Sequence, residues 1–360
     1  MHIAIVGAGA LGRLLAYLLS RQPTHRISVF DPADGPEGRG AAGWTAAGML
    51  TPTAELECAD LDVFNHGLRS LELWSRIMPS LPGDVSFARD GSLLLAHRHD
   101  SGAAQRTVGL LKQKAPQPYR PVALLPAQLA ELEPDIHGPS LAWMLPGEGV
   151  LNAVETMRGL YSAAADKVTW HWNHTITQVA PGLVGNGTQS WTFDHVFDAR
   201  GLGQRPPGMS SSDNALSCQN VRGVRGEIFW LHAPGVVLNR PARLLHPRHR
   251  VYVVPRRNDI IVVGASEIES EDRSPVSLRS TVELLAAAHS MMPGLAEARL
   301  VHTETNLRPA LVDNLPRIEH EPGLTRINGL FRHGWLIAPA IAEKALAQAL
   351  PDNTLIQVSP

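Results

Sequence analysis

Gly7, Gly9 and Gly12 stand at the spacing that lets a backbone approach a pyrophosphate, and an acid, Asp31, follows about 20 residues after the last of them. Gly7 permits a tight turn, Gly9 brings the chain close to the ligand, and Gly12 lets a helix pack tightly on a strand. Ala10 and Leu11 fall in the first turn of that helix, where free N–H groups meet phosphate oxygens. Asp31 is placed to accept hydrogen bonds from ribose hydroxyls. Glycine-rich turns also serve packing alone. Here the flanks have the required form: residues 2–6 (HIAIV) read as a buried strand, 11–20 have helical apolar spacing, and 26–30 read as a second strand. The pattern binds a dinucleotide without distinguishing NAD from FAD.

Residues 39–52 (RGAAGWTAAGMLTP) are small and almost uncharged, with Glu55 and Glu57 just beyond. An NAD domain would continue with a helix and a strand. Small residues suit backbone lying against a flat ring, the plainer alternative being a Gly/Ala surface loop. The run RGAAGWTAAGMLTPTAELECAD resembles the flavin-contacting segment of the glycine oxidase and D-amino-acid oxidase family of FAD enzymes, nearest the glycine oxidases of the thiamine pathway. The resemblance implies FAD held at its pyrophosphate by the glycine turn and at its adenosine ribose by Asp31. Ala46, Ala47, Gly48 and Met49 would lie along the isoalloxazine ring. The turn containing Gly201 would close over the cofactor, and Arg332, His333, Gly334, Trp335 and Leu336 would cover the flavin. The related sarcosine oxidases attach FAD through a cysteine late in the chain. No cysteine follows Cys218 here, so non-covalent FAD is expected.

Amine oxidation on a flavin asks the protein mainly for orientation, so the expected signature is a cation for a substrate carboxylate. Arg308 in the run Asn306-Leu307-Arg308-Pro309 fits: a guanidinium grips a carboxylate bidentately, and the family's Leu-Arg-Pro arginine does this. The bland alternative is an interdomain ion pair. Tyr252, in a Tyr-x-x-Pro-Arg strand, matches the family's tyrosine that faces substrate, although a sheet tyrosine is more often packing. Arg332 would stabilise the anionic reduced flavin. Three positions depart from the family pattern: Arg200 in the glycine turn, Glu227 where a neutral amide is common, and Glu267 where an apolar residue sits by the substrate. With Glu269, Glu271 and Asp272, Glu267 reads as part of a solvated acidic loop. The sharper alternative is that it faces the pocket and favours a larger or cationic amine.

Positioning these groups requires an α/β architecture: a Rossmann-like FAD-binding domain joined to a second, mostly antiparallel β-sheet substrate domain with flanking helices. The expected division is 1–80, 143–205 and 301–360 for the first, and 81–142 and 206–300 for the second. Residues 87–95 read as a hairpin turning at Asp90-Gly91. The stretch 122–136 contains a helix ending in Glu-Pro, 153–165 and 276–291 read as helices, and 193–199 as a strand. Residues 221–230 and 251–265 read as sheet strands, the latter turning at Asn258-Asp259.

The 360 residues carry 32 Lys+Arg against 34 Asp+Glu, a balance that offers nothing to nucleic acid or an anionic membrane. Cys58 and Cys218 form no disulfide framework and fit a reducing cytoplasm. The N-terminal apolar run lacks the form of an export signal and no stretch reads as a membrane span. The pairs His171/His174 and His246/His249 lack a further ligand at metal spacing, so no metal is expected. The expected reaction is FAD-dependent oxidative deamination of glycine or another small amino acid or secondary amine to a 2-oxo acid, with oxygen reduced to hydrogen peroxide. The alternatives are an amino-acid dehydrogenase with another electron acceptor, or a flavin-binding accessory protein acting on a larger or protein-linked amine. Partners are then the amine substrate and oxygen. A homo-oligomer stays open.

Overall fold

A computed structural model describes residues 1–206, 216–246 and 250–351. Strand His2–Val6 is the centre of a six-stranded sheet in the order Arg317–Glu321, Leu324–Asn328, His195–Asp198, His2–Val6, Arg26–Phe30, Val168–His171. All neighbours are parallel except the antiparallel edge pair Arg317–Glu321 and Leu324–Asn328. The central strands are almost continuously apolar because helices cover them. Helices Ala10–Ser20, Leu61–Ile77, Ala153–Ala164 and Gly334–Ala349 share one core with this sheet. Local chemistry sets their starts: Asp60 accepts a hydrogen bond from Val63 N (3.0 Å), and Asn152 from Val154 N (3.1 Å) and Glu155 N (3.3 Å).

A second sheet has eight strands in the order Arg299–Ala310, Arg222–His232, Ile260–Gly264, Arg250–Arg256, Ala242–Leu245, Ser92–Ala96, Leu141–Leu145, Val122–Leu124. It is antiparallel except where Ala242–Leu245 runs parallel to Ser92–Ala96. Helix Leu278–Met291, capped by Ser277, packs on it. Asn258 (φ 59°) and Asp259 (φ 56°) both lie in the left-handed region and form, with Arg257, the three-residue loop that returns Arg256 to Ile260.

Two sequence expectations need correction. Residues 87–95 are no hairpin: Phe87–Ala88 pairs with Gly149–Leu151, while Ser92–Ala96 pairs with Leu141–Leu145 and Ala242–Leu245, five- and four-residue strands that satisfy more of its backbone. The sheets also do not divide at 143 and 301, because Leu141–Leu145 and the whole of Arg299–Ala310 belong to the eight-stranded sheet. That last strand pairs with Arg222–His232 along its length, and the pairing outweighs any local signal for a boundary. Among the described residues, no helix is long and apolar enough to cross a membrane.

Candidate active site

One cavity of about 1110 Å³ runs between the two sheets. Every sequence-selected residue lines it except Gly12: Gly7, Gly9, Ala10, Leu11, Asp31, Ala46, Ala47, Gly48, Met49, Gly201, Tyr252, Arg308 and the run from Arg332 to Leu336. Gly12 is excluded by packing. A Cβ there would lie 1.8 Å from Gly7 O, so the residue sets how closely helix and strand approach. Gly7 has φ +102°, and its Cβ would meet Ala199 O at 2.7 Å. At Gly9, by contrast, the nearest atom to a Cβ would be Ala41 Cβ at 3.5 Å, so the space beside it is open. Gly9 begins helix Ala10–Ser20 with no side-chain cap, and the first-turn N–H groups face the cavity uncapped. Asp31 steadies the turn, accepting from Ala8 N (2.6 Å) and Ala33 N (2.9 Å), and each oxygen keeps a lone pair for a further donor.

Residues 39–49 are pinned from several sides. Asn306 Nδ2 donates to Ala41 O (3.2 Å) and Thr45 Oγ1 (3.1 Å), and Trp335 Nε1 donates to Gly43 O (3.0 Å). Arg256 donates to Ala47 O (2.5 Å). Burial depresses the Arg256 guanidinium to about 10. Gly48 (φ +66°) lies so close to Leu151 O that a Cβ would come within 2.2 Å. Gly334 opens the last helix into the cavity with nothing within 4 Å of its Cβ position. Uncapped amides at one end, side-chain-free backbone along the middle and a helix N-terminus beyond form a cradle that fits a flavin dinucleotide.

At the far end the half-buried Arg308 donates to Ser266 O (3.0 Å) and lies across Gly226, where a Cβ would come within 2.5 Å of Cζ. Among the described residues no carboxylate lies within ion-pair distance of it. Burial lowers its affinity for the proton. Tyr252 stacks against Gly264, whose Cβ would meet the hydroxyl at 2.7 Å, and burial raises its pKa. Arg332 is differently placed. Its guanidinium pairs with Glu55 Oε2 (2.9 Å) and Glu267 Oε2 (3.4 Å), so its charge is compensated. Glu55, only 7% exposed, also holds Arg243 (2.6 Å) and faces His333 Nδ1 (3.4 Å). Burial would raise the Glu55 pKa, but Arg243, His333 and Arg332 outweigh it and hold the carboxyl well below its usual range.

The departures separate cleanly. Glu227 is fully buried against Arg225 (2.6 Å) and lies off the cavity wall, whereas Arg200, held in a bidentate pair with Asp198 (2.9 and 2.8 Å), lines the cavity. Glu269, Glu271 and Asp272 pair with Arg222, Arg205 and Arg225. Glu267 lies on the cavity wall. His171 stacks on Phe30 and His174 Nδ1 donates to Trp172 O (2.7 Å), while His249 lies outside the described residues. Sequence reading missed Arg13, Arg243 and Asn306. Buried Arg13 donates to Ala8 O, Met157 O and Pro36 O, bracing the glycine turn; its only sequence signal was a charge within an apolar helix.

The sequence pattern of the FAD dependent oxidoreductase family spans residues 2–349. The chain belongs to that family. A protein of Rhizobium etli that bears the name thiamine biosynthesis oxidoreductase ThiO is 35% identical over 98% of both chains. The glycine oxidase of Geobacillus kaustophilus is 27% identical, covering 94% of this chain and 89% of its own. In fold, the chain is similar to the crystal structure of that glycine oxidase (TM-score 0.79, 22% identity, 96% and 93% covered). It is similar also to iminodiacetate oxidase from Chelativorans sp. BNC1 (TM-score 0.80, 22% identity, 99% and 98% covered). The protein is an FAD-dependent oxidoreductase of the glycine oxidase/ThiO type, and its cofactor is FAD.

Proposed function

We propose that the protein oxidises the amine of a small amino acid, glycine first, or of a related secondary amine. The imine formed is hydrolysed to a 2-oxo acid, and oxygen is reduced to hydrogen peroxide. The observation that carries this reading is Arg308: a guanidinium on the cavity wall with no carboxylate among the described residues to pair with. A half-buried cation without an ionic partner is costly, and a substrate carboxylate would offset that cost. Relatives named glycine oxidase support the same reading.

FAD, when bound, supplies the hydride acceptor. The backbone of Gly7, Gly9, Ala10 and Leu11 would hold its pyrophosphate, Asp31 its ribose, and Ala46–Met49 with Gly201 its ring. Arg308 would fix the substrate carboxylate, so that the α-carbon is presented at one height above the ring. Tyr252, three strands along the same sheet, would close the substrate's other side. Arg332, His333 and residues 334–336 would cover the flavin. Because Glu55 and Glu267 compensate Arg332, its contribution there is through placement and donated hydrogen bonds more than net charge.

The test is an absorbance spectrum of the purified holoenzyme before and after anaerobic addition of glycine, sarcosine and D-alanine. Bleaching of the flavin bands by one of them, with peroxide on readmission of air, is the expected result. Bands that none of the three bleaches would refute the small-amino-acid reading.

A further inference from the structure

Glu267 has an unusual setting for a carboxylate beside a site that takes carboxylates. It follows Ser266, whose carbonyl accepts from Arg308 at 3.0 Å, so one stretch of backbone fixes both groups. That stretch is itself held, with Ser266 Oγ accepting from Glu227 N (3.0 Å) and Ile268 paired to Arg225. The carboxylate reaches Arg332 only loosely, at 3.4 Å, while Arg332 keeps its closer partner Glu55 at 2.9 Å. The side chain stays 44% exposed on the cavity wall, and its field reaches Arg308. Glu267 is thus the looser of the two partners of Arg332, and its half-exposed carboxylate on the cavity wall keeps lone pairs free for a further donor.

We infer that Glu267 is a specificity-determining residue that selects zwitterions over simple carboxylates, by attracting the substrate's ammonium group and repelling anions that lack one. The inference rests on the amino-acid reading of the cavity. A fixed positive group at Arg308 attracts acetate and glycine alike. A negative group close beside it distinguishes them, since like charges held near each other are costly and opposite charges favourable. Partial exposure limits the effect to about tenfold in either direction.

Two ligands without oxidisable C–H/N–H chemistry serve as probes, followed through perturbation of the flavin spectrum of the holoenzyme: acetate, and trimethylglycine, which carries a permanent positive charge. Glu267→Gln should bind acetate about tenfold more tightly and trimethylglycine about tenfold more weakly, and Glu267→Asp should return both toward wild type. Unchanged affinities, or changes of the same sign for both ligands, would overturn the inference and leave Glu267 a mere partner of Arg332. The carboxylate site is judged separately. If acetate fails to bind even Glu267→Gln, or binds that variant equally well with and without the further change Arg308→Ala, the amino-acid reading falls and the role of Glu267 with it.

Discussion

Glu148 offers a stringent test of how the cavity wall is held. It is fully buried, accepts from Ala54 N at 2.9 Å and meets the Ser92 hydroxyl, tying the helical turn Pro52–Glu55 to the eight-stranded sheet. Burial lifts its pKa from 4.5 to about 7, opposed by the Ser92 and Ala54 hydrogen bonds and by Arg243. A carboxyl whose folded pKa is raised contributes its stability fully below pH 4.5, and loses it as pH rises through 7. The rise corresponds to about 3 kcal/mol between pH 4.5 and pH 8. Glutamine keeps the shape, the acceptor for Ala54 N and a donor for Ser92, but never ionises. Glu148→Gln should therefore gain about 3 kcal/mol on the wild type across that pH range, or roughly 4 °C in melting temperature. Thermal unfolding of both holoenzymes at pH 4.5, 6, 7 and 8 measures it. A difference in melting temperature that stays flat with pH would refute the reasoning.

Glu55→Gln leaves Arg243 without its carboxylate and Arg332 with only Glu267, and should cost about 3–5 kcal/mol of stability at neutral pH, measured by denaturant unfolding. Sulfate should restore part of the loss by entering the cationic cavity. Arg308→Ala should retain FAD and raise the dissociation constant for acetate about a hundredfold or more, read from the flavin spectrum. Gly9→Val should give a folded protein that loses FAD on gel filtration, because the valine enters open cofactor space. Gly12→Val should instead fail to fold, as its Cβ collides with Gly7 O. Circular dichroism and flavin content together distinguish the two glycine variants.

Much of this arrangement was legible in the residues because it depends on short-range rules. Strands His2–Val6 and Arg26–Phe30 begin and end where the apolar runs do, and Asn258-Asp259 turns as its composition demands. Seventeen of the eighteen site residues selected from the sequence line the cavity, and the Gly/Ala runs among them were recognisable because close approach of the backbone leaves a trace of small residues. The false hairpin at 87–95 shows where this ends: Asp90-Gly91 is a good turn, but partners about 50 and 150 residues away decide the pairing. The Glu55 cluster was illegible for the same reason. Its members lie at positions 55, 243, 332 and 333, and only folding brings them together. Glu267 looked like one of four equivalent acids, and distance to Arg332 and the cavity singled it out.

Strand Arg299–Ala310 carries both Asn306, which clamps residues 41–45, and Arg308, and it is laced to Arg222–His232 from end to end. The clamp on the cofactor-side loop and the arginine proposed to hold the substrate are thus inherited as one rigid part. Laboratory evolution toward new amines should find few tolerated changes on that strand, because each one disturbs two functions at once. Novelty should accumulate instead at Glu267, whose half-exposed side chain can change without breaking the Glu55 cluster or the clamp on residues 41–45.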